Sequence, residues 1–279
     1  MRRKIATLAL AFGAAVPLLS ACTTTRAYAQ SRAHDDKPFT WSGTIQAGHS
    51  VYVRNLNGAV RVEAGTGDKV EVRAEKQWRR GNPDDVKVTV KQVGPGNGDV
   101  LVCALWNDRS SCDEDGYHSH DNGWFRGDND NRNDVSVEFV IRLPAGVKVD
   151  ASTVNGSVDV DGATSDVVAR AVNGSVEAHS TGGAVSARTT NGNVEVSAAK
   201  LDIDHSEFRT VNGTVTVSLP ASVNADVDME TVNGSLTSDF PLTVQGSFNP
   251  RRLRATLGKG GASLRLTTVN GSIRLRKLS

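Results

Sequence analysis

The chain has 279 residues, 38% hydrophobic and only 5% aromatic, with a formal net charge of +1. Its apolar residues are mostly Val, Ala and Leu, which suit a thin core of small side chains, and the length admits one large all-β domain or two smaller ones. A balance this close to neutral gives no overall pull toward nucleic acid, and removing Arg2, Arg3 and Lys4 leaves only −2.

Those three residues head an export signal. Residues 5–19, IATLALAFGAAVPLL, are its apolar core, shorter than the roughly 20 residues of a spanning helix. Residues 1–21 are therefore read as a signal peptide and set apart from the fold. The stretch Leu19-Ser20-Ala21-Cys22 resembles the lipobox of bacterial lipoproteins. That resemblance implies a lipid on Cys22, and Thr23 in place of Asp is similar to the outer-membrane sorting pattern. The rival reading is an ordinary secreted chain cleaved after Ala29, at the A-x-A of AYAQ. Residues 22–38 are polar and aperiodic, as a flexible tether would be.

From Phe39 the apolar period is two. Val51 and Val53, Val60 and Val62, Val70 and Val72 with Ala74, then Val86, Val88 and Val90 each alternate with polar residues. This predicts half-buried strands, and nothing downstream sustains a helical period. After the strand DVLVCALW the chain turns polar, and a long acidic loop is expected over about 106–134. Cys103 and Cys112 remain as a pair once Cys22 is set aside, and in an exported chain they are read as a disulfide. A metal site with His118 and His120 is the alternative, though eight residues between the thiols do not match zinc spacing. Asp128, Asp130 and Asp134 are oxygen donors suited to Ca²⁺, but Arg132 breaks the EF-hand pattern.

Strands resume at Val135 and lead into a repeat. TVNGS or a close variant recurs, with Asn-Gly at Asn155/Gly156, Asn173/Gly174, Asn191/Gly192, Asn212/Gly213, Asn233/Gly234 and Asn270/Gly271, and an outlying copy at Asn57/Gly58. The spacings from Asn155 onward are 18, 18, 21, 21 and 37, and the last is expected to hide a decayed copy near Asn249-Pro250. Asn-Gly between alternating strands is also a strong hairpin signal, because a type I′ turn needs positive φ at both positions. An antiparallel β-meander therefore competes with a parallel β-solenoid, a right-handed β-helix of 18–21 residues per coil. Two arguments favour the solenoid. A hairpin would expose Val154, Val172, Val211, Val232 and Val269, whereas a coil corner can turn them inward. Identical corners also gain by stacking at about 4.8 Å, where Asn side chains form a ladder.

The stretch VSVEFVIRLPAGVKVDASTVNGSVDVDG and the repeats after it resemble the putative-adhesin β-strand-repeat family of bacterial exported proteins, over roughly 40–279. The resemblance implies a β-solenoid at the cell envelope and a role in adhesion. It brings no catalytic residues and no cofactor.

The residues themselves offer little chemistry. The repeat half has only His179 and His205 as histidines, no Cys, and neither a G-x-S-x-G elbow nor a phosphate-binding loop. Charge is uneven, however: the last forty residues carry +8 and no acid, and residues 97–134 carry −6. Arg251, Arg252, Arg254, Arg274, Arg276 and Lys277 are the candidate anion-binding set. The expected function is a non-enzymatic, lipid-anchored envelope protein with a solenoid domain over 39–279, membrane-bound at Cys22 and meeting polysaccharide, lipopolysaccharide or a surface protein. A module for anionic glycan or lipid is the alternative, and a glycan-active enzyme the third reading.

Overall fold

A computed structural model describes residues 33–34, 37–119, 133–199, 206–245, 249–261 and 263–278. The signal peptide, Cys22, His120, Trp124, Asp128 and Asp130 lie outside them. Every regular element of the described residues is a strand, apart from two three-residue turns of 3-10 helix.

The repeat builds two facing sheets. In each unit a strand of sheet II runs to the Asn-Gly corner, the chain turns, and the next strand runs in sheet I. Lys148–Asn155 is followed by Val158–Ala163, Val167–Asn173 by Val176–Ser180, and Val185–Arg188 by Val194–Ala198. Glu207–Arg209 is followed by Val215–Leu219, Ala225–Asn233 by Leu236–Ser238, and Ser263–Asn270 by Ile273–Lys277. We call each such pair a rung. Rungs stack in parallel register, so like residues align: Val158, Val176, Val194, Val215 and Ile273 in sheet I, and Ala151, Ala169, Ala187, Phe208, Leu266 and Met229 in sheet II. These inward rows are buried and form one core. The alternation of period two is thus a consequence of each strand having one dry face.

The corners explain the letters of the repeat. Asn side chains form the expected ladder through Asn155, Asn173, Asn191, Asn212, Asn270 and Asn233, each Nδ2 donating to the Oδ1 of the Asn before it in that order at 2.8–2.9 Å. Among the described residues only Asn97 has a positive φ outside glycine. A type I′ hairpin would need one at every corner Asn, so these are not hairpin tips. The inward residue is Thr, not Val. Thr153, Thr189, Thr210, Thr268 and Thr231 are buried, and each Oγ1 donates to the corner Gly carbonyl of the adjacent rung at 2.7–2.9 Å. The expectation of inward valines is wrong: Val172 and Val232 are 40% and 47% exposed, and Val154, Val211 and Val269 half-buried. Thr takes the inward place because its hydroxyl satisfies a corner carbonyl that Val would leave unpaired.

The corner glycines also serve a purpose other than the expected one. A positive φ is not their common feature, since Gly234 lacks one. What they share is the want of room for a side chain. A Cβ on Gly174 would lie 1.9 Å from the Gly156 oxygen, and one on Gly234 1.8 Å from the Gly271 oxygen. The outlying copy at Asn57 and Gly58 departs from the rest. It joins the stack through its backbone, the Gly58 N–H donating to the Asn155 carbonyl at 2.7 Å. Its side chain leaves the ladder, because Asn57 Nδ2 donates to the Val135 carbonyl at 2.7 Å. Gly58 itself, at a φ of 121°, faces the Val137 oxygen, 2.1 Å from where a Cβ would stand. The corner there rests on an incoming strand rather than on another corner.

The long final spacing hides no decayed copy. Around Asn249-Pro250 the chain turns into Arg252–Leu257, which pairs antiparallel with the outer edge of Ala225–Asn233. The last rung then lies between the two before it. Ser263–Asn270 pairs with Glu207–Arg209 on one side and Ala225–Asn233 on the other, and Ile273–Lys277 sits likewise between Val215–Leu219 and Leu236–Ser238.

The opposite end is antiparallel too. Lys69–Trp78 pairs antiparallel with Ser136–Leu143 and Phe39–Thr44, and Lys87–Val93 with Asp99–Leu105. Ala33–His34 pairs with Trp78 and Gln77, ahead of Phe39. The whole is an all-β repeat-sheet fold with mixed pairing, neither parallel throughout nor a meander. Phe39, Trp41, Trp78 and Trp106 pack half-buried against the core. These aromatics cover apolar surface that an end without a next rung would leave wet.

Candidate anion-binding face

Because residues two apart share a face, the outer side of sheet II carries its own rows. One is Arg170, Arg188 and Arg209, in direct register on adjacent parallel strands. The row beside it runs Glu207, Arg265, Asp228 and Arg254, and Arg252 stands opposite Glu230. Six exposed arginines thus share the face with Asp150, Glu207, Asp228 and Glu230. Arg170 Nη1 reaches Asp150 Oδ1 at 2.8 Å, and Arg188 pairs with Glu207. Asp228 Oδ2 draws Arg252, Arg254 and Arg265 to 3.4, 3.5 and 4.0 Å, while its Oδ1 is buried with no hydrogen-bond partner. Arg209 meets no carboxylate among the described residues. Like charges about 4.8 Å apart across paired strands repel; Asp150 and Glu207 offset this for Arg170 and Arg188, which leaves Arg209 as the member of the row whose charge an external anion could meet.

The predicted basic set is divided. Arg252 and Arg254 lie on this face, and Arg251 is in the exposed turn before them. Arg274 and Arg276 project from sheet I, in register with Thr216 and Ser218, on the far side of the molecule. Lys277, on the same strand, places its Nζ 5.5 Å from the Phe240 ring centroid. The C-terminal coil is therefore not one basic surface. Arg170, Arg188 and Arg209 were not among the candidates, because single arginines 18 and 21 residues apart gain meaning only once the rungs are stacked.

The middle rungs of sheet I carry acidic residues on their outer face. Asp159, Glu177 and Glu195 are in register, with Asp161 and His179 in the next row. Arg61 Nε is 3.6 Å from Asp159, and His179 Nε2 is 2.9 Å from Glu177.

The acidic loop, as far as it is described, is fastened to sheet II. Cys103 and Cys112 are disulfide-bonded, as expected. Ser110–Cys112 and Tyr117–Ser119 form a small hairpin. Beneath it lies Arg54, 0% exposed, which donates to the Asp113 and Glu114 carbonyls and to Asp150 Oδ1 at 2.8 Å. His118 Nε2 stands 2.9 Å from Asp113 Oδ2, and this hydrogen bond holds the Asp113 carboxyl below its ordinary range, helped by the Gly116 N–H. Asp134, a candidate Ca²⁺ ligand, accepts instead from the backbone N–H groups of Arg79, Arg80 and Gly81. Among the described residues no three His, Cys, Asp or Glu side chains gather as a metal site.

A stacked, two-sheet repeat with ladders of Thr, Asn and Gly at its corners defines the class of protein. The family model "Toastrack DUF4097" matches residues 134–276, and the chain belongs to that family. Among solved structures, a "putative cell adhesion protein" from Clostridium sporogenes is 12% identical with a TM-score of 0.46, the match covering 87% of this chain and 100% of the other. A "putative adhesin" from Bacteroides fragilis is 12% identical with a TM-score of 0.34, covering 88% and 98%. No curated protein matches.

Proposed function

We propose that the chain is a non-enzymatic, envelope-associated binding protein, tethered by lipid on Cys22, whose outer face of sheet II binds an anionic envelope polysaccharide. The observation that carries this reading is the in-register row Arg170–Arg188–Arg209, whose last member faces no carboxylate among the described residues. A rigid parallel stack spaces these cations evenly, about 4.8 Å apart, and a linear acidic polymer can lie along them with several charges engaged at once. Arg252, Arg254 and Arg265 extend the surface. A stacked repeat-sheet platform suits such a ligand because a preorganised surface costs little to order on binding.

The test uses polygalacturonate as the probe, with binding followed as salt is raised. Arg188→Ala with Arg209→Ala should weaken binding about tenfold or more, and salt should do the same to the native protein. Arg274→Ala with Arg276→Ala, on the other face, should change little. Equal losses from the two pairs would refute the assignment to sheet II, and turnover of the polymer would overturn the non-enzymatic reading. Cys22→Ala should release the protein from membranes.

A further inference from the structure

The last rung is last in sequence but not last in space. Its walls, the rungs 207–219 and 225–238, are made first, and 263–277 then enters between them. Without it, four strand edges would face one another across about 9.6 Å, two strand spacings, with their N–H and C=O groups unpaired. Every ladder crosses this place. Asn270 joins Asn212 to Asn233, Thr268 Oγ1 donates to the Gly213 carbonyl, and Thr231 Oγ1 donates to that of Gly271. Leu264, Leu266, Ile273 and Leu275, all 0% exposed, complete the core there.

We infer that this slot is a strand-acceptor site that takes the C-terminal rung of a second copy of this chain as well as its own. The slot selects alternating apolar residues followed by Thr-x-Asn-Gly, and residues 264–275 of another copy present that pattern identically. The connector permits exchange. It runs from Arg252–Leu257 past the start of Ala225–Asn233, and Gly258, Gly260 and Gly261 take positive φ of 56°, 71° and 131°. Its backbone is held by side-chain oxygens: Lys259 N–H donates to Asn224 Oδ1 at 2.8 Å and Gly261 N–H to Asp226 Oδ2 at 3.3 Å. The connector itself is lightly held, so the bonds that exchange must break are mainly those of the rung with its two walls, and a second copy's rung restores them. A swapped pair remakes the same ladders, so the balance between one and two copies is set by concentration. Chains crowded on a surface would be joined rung to slot. This inference does not depend on the arginine face.

Ser235 Oγ and Ser272 Oγ lie 3.0 Å apart, one on a wall and one on the inserted rung. Full-length Ser235→Cys and Ser272→Cys, each with Cys22→Ser, are mixed, unfolded with the native disulfide intact, and refolded together. A covalent heterodimer should form at least tenfold more than between Ser235→Cys and Ser157→Cys, a corner several rungs away, and should increase with protein concentration. Both substitutions in one chain should close the bond internally at low concentration, which establishes that the sites accept cysteine. No excess over the Ser157→Cys control at any concentration would overturn the inference, as would failure of the double variant to close.

Discussion

Gly213→Ala isolates what holds the rungs together. A Cβ on Gly213 would lie 1.9 Å from the Gly192 oxygen and 2.6 Å from its carbonyl carbon, where about 3.3 Å is an ordinary carbon–oxygen approach. The carbonyl is not free to turn away, because Thr210 Oγ1 donates to it at 2.8 Å and the Gly192 N–H is itself bonded to Asn212 O at 3.0 Å. Relief therefore costs the Thr210 bond, about 1 kcal/mol, together with the strain of an overpacked site, about 1–3 kcal/mol. The expected destabilisation is about 2–4 kcal/mol. Gly67→Ala is the control. Its φ of 82° is at least as foreign to alanine as the 158° of Gly213, yet nothing lies within 4 Å of the added carbon, and about 1–2 kcal/mol is expected. Urea unfolding followed by far-ultraviolet circular dichroism gives both values under one condition. If Gly213→Ala cost no more than Gly67→Ala, close stacking of the corners would not be why glycine recurs.

Four further outcomes follow from single contacts. Thr210→Val should cost about 1 kcal/mol by removing one buried hydroxyl bond, and Ala171→Thr should regain a similar amount, since Ala171 is the repeat's missing hydroxyl and the Gly156 carbonyl is its natural acceptor; both are read by urea unfolding. Arg54→Met should cost about 3 kcal/mol, since it strips a buried cation from Asp150 and two carbonyls, and limited proteolysis should then cut within 106–119 while the rungs resist. The depressed Asp113 carboxyl gives support that is complete above its unfolded value of about 3.9 and is lost as pH falls through the lower folded value. The ring resonances of Tyr117 should therefore broaden only as pH falls below about 3.9, and in Asp113→Asn they should be insensitive to pH over that range.

The strands, the stacking and the disulfide were legible because each rests on a local pattern. Alternating Val fixes which face is dry, and near-identity at a corner has a physical benefit only when corners are neighbours. The inner residue of the corner was misread because hydrophobicity alone ranks Val above Thr. A buried carbonyl in need of a donor reverses that order, and a carbonyl leaves no mark in the sequence. The glycines were found for the wrong reason: turn chemistry and close stacking ask for the same letter, and only the rung spacing tells them apart. The arginine row was illegible for another reason. Arg170, Arg188 and Arg209 fall at equivalent places in successive repeats, but the repeat letters around them vary, so only the register brings them together.

The position of the final rung was illegible in a deeper sense. A ladder of identical residues stabilises stacking without specifying which copy stacks on which: Asn270 donates to Asn212 as readily as Asn212 donates to Asn191. Order must come from what differs between rungs. Arg265 of the last rung stands between Glu207 and Asp228, whereas Arg188, in a middle rung, already has Glu207 as its partner. Leu266 lies between Phe208 and Met229, whereas the same row in the three rungs from Lys148 to Arg188 holds only Ala151, Ala169 and Ala187. Asn224 and Asp226 hold the connector at the entrance. These contacts select the slot for residues 263–277, but none depends on whether that rung belongs to the same molecule. The specificity of the corner and its permissiveness toward a second copy therefore have one physical origin.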